Sequence, residues 1–256
     1  MTTIFITNDD GINSPGLQAL QQALAEVGDT VTVAPVRDNS AVSHSLTMNR
    51  PLRVQQLSPK VYTVDGTPTD CVAVGLKKIL DCQPDLLISG INGGANLGDD
   101  ISYSGTVSAA IEGTMYGIPS MALSVGGQPP FDFRAAMRVA VCIAKKILHY
   151  SLPANTLLNI NVPNGTTYKS IRVTRQGRRI WENSIHEILD PLGSKHYWIG
   201  GGTAVVDPNE DTDVHAFAAG NVSITPIQLD LTNHAGIAYL RDNWLLEEAE
   251  KPSVKN

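Results

Sequence analysis

The sequence predicts an α/β fold, an open and mostly parallel sheet with helices on both faces. Three observations predict it. Short apolar, β-rich runs closed by turn residues alternate with segments of helical period. The first elements run strand, helix, strand, an order that right-handed crossovers turn into parallel neighbours. The 256 residues, 42% of them hydrophobic, suffice for one domain with a sizeable core.

The elements follow in order. "TIFIT" (Thr3 to Thr7) reads as a buried strand. "SPGLQALQQALAEVG" has Pro15 near a helix start, Leu17, Leu20, Leu24 and Val27 at helical spacing, and Gly28 as a C-cap. "TVTVAP" is a second strand, and "SLTMNRPLRVQQL" and "KVYTVDG" are strand-like. "TPTDCVAVGLKKIL" opens a helix with Thr67 at the N-cap, Pro68 at N1 and Asp70 at N3. "DLLISG" is a third parallel strand, "GTVSAAIEGTMYG" a helix with small residues on one face, and "PSMALSV" a strand. "FRAAMRVAVCIAKKILHY" is a helix and "NTLLNINVP" a strand. Residues 1–163 thus read as a Rossmann-like α/β core. From about Pro163 the pieces "IRVTRQG", "KHYWIGG", "TAVV" and "NVSITP" are short and Gly-punctuated. Residues 164–256 are therefore expected to form a β-hairpin-rich arm and a final helix, roughly Thr232 to Ala249.

Composition narrows the function. Net charge is −6, and "RQGRR" is too short to make the basic stripe a nucleic-acid duplex requires. No apolar run approaches the ~20 residues that span a membrane. Three scattered cysteines without CxxC spacing, and no basic-then-apolar N-terminal stretch, lead to the expectation of a reduced, cytoplasmic protein without a signal peptide.

The unusual polar clusters all follow strands, where ligands of open α/β sheets bind. "NDDG" (Asn8 to Gly11) sets Asp9 beside Asp10, two carboxylates that repel each other. Alone it reads equally well as a turn leading into a helix. "APVRDNSAVSHS" is a polar loop containing Ser40, uninformative by itself. "SGINGGANLGDDISYSGT" combines five glycines with Asn92 and Asn96, then enters a helix near Ser104, Gly105 and Thr106. Glycine permits close backbone approach, and a helix N-terminus favours anions. It is neither a Walker loop nor a GxGxxG turn.

Taken together, these strand ends imply a divalent cation that relieves the Asp9–Asp10 repulsion and bridges to a phosphate. The available donors are oxygens, which suits Mg²⁺ or Mn²⁺ rather than zinc. The six histidines form no HxH or HExxH pattern, in agreement. Metal-assisted phosphomonoester hydrolysis is one outcome; nucleotide binding without turnover uses the same parts. A covalent aspartyl-phosphate route is disfavoured because "NDDG" lacks DxD spacing.

At these motifs the sequence resembles the SurE family of metal-dependent nucleotide phosphatases. "TNDDGINSPG" resembles its N-terminal signature, and "SGINGGANLGDDISYSGTVSAAIEG" its central one almost continuously. "GTPTDCV", "LNINVP", "RVTRQG", "DPLGSKHYWIGG" and "VSITP" follow in family order. The resemblance implies one divalent ion per subunit, held by Asp9, Asp10, Ser40 and Asn92. It implies Asn8, Asn96, Ser104, Gly105 and Thr106 around the phosphate. Asp9 or Asp10 is the catalytic candidate to accept the proton of the attacking water. The resemblance also implies hydrolysis of nucleoside 5′- and 3′-monophosphates, trimming of polyphosphate in some members, and a homodimer or homotetramer that exchanges the C-terminal hairpin and helix.

Overall fold

The computed structural model describes residues 2–200 and 202–244. Its core strands are β1 (Thr3–Thr7), β2 (Asp29–Pro35), β3 (Val54–Ser58), β4 (Val61–Val64), β5 (Leu86–Gly93), β6 (Ser120–Gly126) and β7 (Thr156–Pro163). β8 (Ile171–Val173) and β13 (Val222–Gln228) join them. Among the described residues these nine make one sheet in the order β3-β4-β2-β1-β5-β6-β7-β13-β8. From β4 to β7 all neighbours are parallel; β3 and β13 enter antiparallel.

The helices are α1 (Pro15–Leu24), α2 (Pro68–Val74), α3 (Gly105–Met115) and α4 (Arg134–Tyr150). Leu17, Leu20 and Leu24 of α1 meet Ala136, Val139 and Ile143 of α4 over Ile4, Ile6 and Ile88. On the opposite face Cys71 and Val72 of α2 and Ala109 of α3 cover Phe5, Val33 and Leu87. Ile4, Phe5 and Ile6 are thus fully buried on both sides, the continuous apolar pattern of a parallel strand with covered faces. The expected start of α2 is present: Thr67 and Asp70 form a reciprocal capping box.

Several elements differ from the sequence reading. β5 runs on through Gly93, so Asn92 sits in a strand rather than in the Gly-rich loop. That loop contains a 3₁₀ turn, Gly98–Tyr103. Only Val54–Ser58 of "SLTMNRPLRVQQL" pairs as strand. α5 (Asp213–Ala218) lacks an apolar run long enough to show helical period. β8 and β13, expected in the arm, lie in the main sheet; Ile224 of β13 packs into the core beside Ile160 of β7. The hairpins proper are β9 (Arg179–Glu182) with β12 (Thr203–Val206), and β10 (Ile185–Leu189) with β11 (Lys195–Ile199). The last helix, α6, covers His234–Asn243; the expected continuation from Leu245 to Ala249 lies outside the described residues.

β1 leads through α1 to β2 on one side, while β5 pairs with its other side. The loops after β1 and β5 therefore part at a topological switch point, which opens a crevice there. α1 docks tightly against this point. A Cβ on Gly16 would stand 1.9 Å from the Ile91 carbonyl oxygen, whereas one on Gly94 would find its nearest atom at 3.6 Å. Gly16→Ala should therefore lower stability by about 3 kcal/mol, as overpacking does. Gly94→Ala should lie within about 0.5 kcal/mol of wild type by urea denaturation.

Candidate active site

The site starts where β1 ends. Asn8 is fully buried, and its Nδ2 donates to the Gly11 carbonyl at 3.0 Å, which closes the turn. The Asn39 amide donates to the Asp9 carbonyl at 2.8 Å and ties the loop after β2 to this turn. Asp9 is 5% exposed. Thr106 donates its hydroxyl to Asp9 Oδ1 at 2.5 Å. The start of α3 lies against the same carboxylate: a Cβ on Gly105 would stand 2.8 Å from Asp9 Cβ.

Asp9 thus lies against the start of α3, where the expected anion site falls. The Thr106 hydroxyl proton is directed at Asp9. Ser104 is the N-cap, accepting the Val107 amide at 3.1 Å.

Electrostatics match the crowding. Burial raises the Asp9 pKa to about 6; the charge of Asp10 adds to the rise, and the Thr106 hydrogen bond opposes it. Asp10 is also raised, first by burial and further by Asp38, while the Gly93 amide at 3.3 Å works against the shift.

Ser40 donates its hydroxyl to Asp38 Oδ1 at 2.6 Å, and its amide reaches the same oxygen at 2.8 Å. The hydroxyl proton is thus committed to Asp38, and lone pairs of the oxygen are left for another ligand. Asn92 donates Nδ2 to the Gly94 carbonyl at 2.7 Å, which leaves Oδ1 available. Asp9, Asp10, Ser40, Asn92, Asn96 and Ser104 line one cavity of about 360 Å³, closed by Asp100, Tyr103 and Trp181. Asn8, Gly105 and Thr106 stand behind that wall.

Asn96 is held from the next strands. Its amide donates to Asn161 Oδ1 at 2.8 Å and its Nδ2 to Ser124 Oγ at 2.9 Å. Its carbonyl accepts from Asn159 and Asn161 at 2.8 and 3.0 Å. Asp213 accepts the Gly98 amide at 2.9 Å and the Gly177 amide at 2.8 Å. Asp38, Asn159, Asn161 and Asp213 were not singled out from the sequence. Asn159 and Asn161 did carry a signal: two amides at strand spacing inside an apolar run point to one face. Asp38 and Asp213 carried none.

No cluster of three His, Cys, Asp or Glu that could hold a metal ion forms among the described residues. The cleft offers two carboxylates supplemented by neutral oxygens, and a hard cation fits that donor set. The fold and the cleft define an α/β protein with an acidic, oxygen-lined site at the sheet's switch point. The chain belongs to the SurE family: the family model described as Survival protein SurE matches residues 4–183. A relative from Pelobacter propionicus named 5′-nucleotidase SurE is 51% identical, covering 91% of this chain and 96% of its own. One of the same name from Aquifex aeolicus is 46% identical, covering 95% and 100%. The crystal structure of the SurE protein from Aquifex aeolicus superposes with a TM-score of 0.82 at 45% identity, covering 94% of this chain and 100% of that one.

The raised Asp9 pKa has a consequence for stability. A carboxyl whose folded pKa lies above its unfolded value stabilises fully below the unfolded pKa, and that stability is lost as pH rises through about 6. The shift from 3.8 to about 6 corresponds to about 3 kcal/mol. In chelator at about pH 7.5, Asp9→Asn should melt several degrees above wild type, and the gap should close toward about pH 4. Equal melting temperatures at both pH values would show that Asp9 is not destabilised by its charge.

Proposed function

We propose that this chain is a divalent-metal-dependent phosphomonoesterase that hydrolyses nucleoside 5′- and 3′-monophosphates to nucleoside and phosphate. Short polyphosphate presents a similar terminal phosphoryl group and belongs to the same proposal. One observation carries the reading: two adjacent carboxylates with raised pKa share a small cavity with the uncommitted oxygens of Ser40 and Asn92. Relatives at 45–51% identity are named 5′-nucleotidase SurE, which supports the nucleotide as substrate.

In this proposal Asp9, Asp10, Ser40 and Asn92 hold one Mg²⁺ or Mn²⁺ per subunit. Such an ion supplies Lewis-acid polarisation of the phosphoryl group and acidifies water. The remaining work falls to the chain. Asp9 gives up its proton as the site fills, so metal affinity falls below about pH 6. Asp10, less enclosed than Asp9, takes the proton of the attacking water. Gly94 and Ala95 bring backbone without bulky side chains to the same cavity, where Asn96 and Ser104 face the phosphate. Gly105 and Thr106 act from behind by fixing Asp9.

The proposal includes assembly. The β10–β11 hairpin exposes Ile185, Leu192, Tyr197, Trp198 and Ile199, each more than 60% accessible. A lone two-stranded hairpin is marginally stable, so it needs a surface to cover it. The β10–β11 hairpin and the helix after Gln228 are the elements exchanged between subunits, as homodimer or homotetramer.

Three measurements test this reading. Chelation should abolish phosphate release from nucleoside monophosphates, and Mg²⁺ or Mn²⁺ should restore it; full turnover in a verified metal-free sample would refute it. In calorimetric titration of the apoprotein with Mn²⁺, Asp38→Ala should weaken binding by about 10-fold or more, as loss of an outer-shell partner does. Asp38→Asn keeps the turn without the charge and should fall between. Light scattering should give two or four times the chain mass of 27.4 kDa. Tyr197→Glu should lower it; a monomeric wild type would remove the exchange model.

A further inference from the structure

We propose that the cavity beside the acidic cleft is a nucleobase subsite, with the uncovered face of the Trp181 indole as its stacking platform; this rests on the nucleotidase reading above. The cavity measures about 770 Å³, against about 360 Å³ for the cleft itself. The two share Ala41, Asp100, Tyr103 and Trp181 as walls. A molecule with its phosphate at the cleft would thus find the larger space directly beyond these shared residues.

Trp181 is held there by its neighbours. Its Nε1 donates to Asp100 Oδ1 at 2.8 Å. The guanidinium of Arg179 lies 4.6 Å from the centre of its ring and covers one face. Arg179 is fixed in turn, donating Nη1 to Asp100 Oδ2 at 2.9 Å and its amide to Asp99 Oδ2 at 2.7 Å. The indole thus has its polar edge satisfied and one face occupied, yet it remains 42% exposed. Trp181 lines both the cleft and the larger cavity, so its exposed, pre-oriented indole borders the two spaces. A planar heterocycle stacks there with little loss of side-chain freedom, and the sugar bridges the two spaces.

The same contacts limit selectivity. Asp99 and Asp100 are committed to Arg179 and Trp181, and the Ser184 hydroxyl is turned to the Trp181 carbonyl at 3.4 Å. Stacking dominates over reading of base edges, and every base has a π-face. Purine and pyrimidine nucleotides should be accepted within about 10-fold of each other.

The test compares adenosine and cytidine 5′-monophosphates with ribose 5-phosphate, which keeps the phosphoester and lacks the base. With Mn²⁺, kcat/KM should favour the nucleotides by about 10-fold or more. Trp181→Ala should bring that ratio close to one, and Trp181→Phe should retain most of it. A loss shared equally by all substrates leaves the ratio intact and overturns the proposal. Binding is measured separately on the metal-free wild type. Adenosine should shift the indole N–H resonance that Trp181→Phe removes. An unmoved resonance, or one that moves with protein concentration instead, overturns the proposal, the latter by showing that a second copy covers the ring. If no phosphate ester is hydrolysed with any divalent ion, the nucleotidase reading fails, and the resonance still decides the subsite.

Discussion

The structure depends on placing two negative charges side by side where little water reaches. Asp9 and Asp10 follow directly from a strand that is buried on both faces, so the first of them inherits that burial. Its neighbours are arranged to tolerate it. Thr106 gives Asp9 a hydrogen bond, Gly105 supplies the room, and Asn8 closes the turn beneath. These contacts lower the cost without removing it, because the Asp9 pKa still stands near 6. A cleft in which charge is held at a cost is one that gains from a cation, and this links the packing of α3 to chemistry at the strand ends.

The topology explains why the other parts arrive at the same place. β1 and β5 are adjacent, but their chains leave in opposite directions, so two loops border one crevice. A Gly-rich loop there needs partners for its backbone groups, since burial leaves no water to serve them. Asn159 and Asn161 of β7 provide them at Asn96, and Asp213 provides one at Gly98. Gln176 adds a bond to the Gly98 carbonyl at 2.9 Å. The root of the C-terminal region thus anchors the loop of the N-terminal core. This is why a division at Pro163, natural in a reading of periodicity, does not separate the site from the rest.

The sheet's parallel part was legible because its strands are continuous apolar runs and its helices carry clear caps, as at Thr67 and Asp70. The clustering of Asp9, Asp10, Ser40 and Asn92 was legible because each follows or ends a recognisable strand, and the resemblance joined them. What escaped was long-range or very short. β13 joins β7 through pairing that no local pattern records, and α5 spans less than two turns. The role of Thr106 depends on a contact with a residue 97 positions away. Read locally, its hydroxyl belongs to a free helix N-terminus; in space, the anion it meets is Asp9. Asp38 escaped because an exposed aspartate in a polar loop looks like a solvated turn until its oxygen is seen to bind Ser40.

Asn92 shows how tightly these demands are balanced. A carboxylate is the better ligand for a hard cation, so a neutral amide at this position needs a reason. One reason is geometric: Asn92 Nδ2 donates to the Gly94 carbonyl, and an aspartate would set an anionic oxygen against that carbonyl oxygen. The other is electrostatic. Asp38 already raises the pKa of Asp10, and Asp10 that of Asp9. A further charge about 4 Å from this pair adds repulsion on a scale of ~4 kcal/mol at an effective dielectric of about 20. It would act on the aspartates before a cation arrives and on a phosphate dianion afterwards. The amide avoids both. Its nitrogen shapes the turn, and in the proposed function its oxygen would complete the donor set, so one side chain would serve the loop and the cleft without adding charge to either.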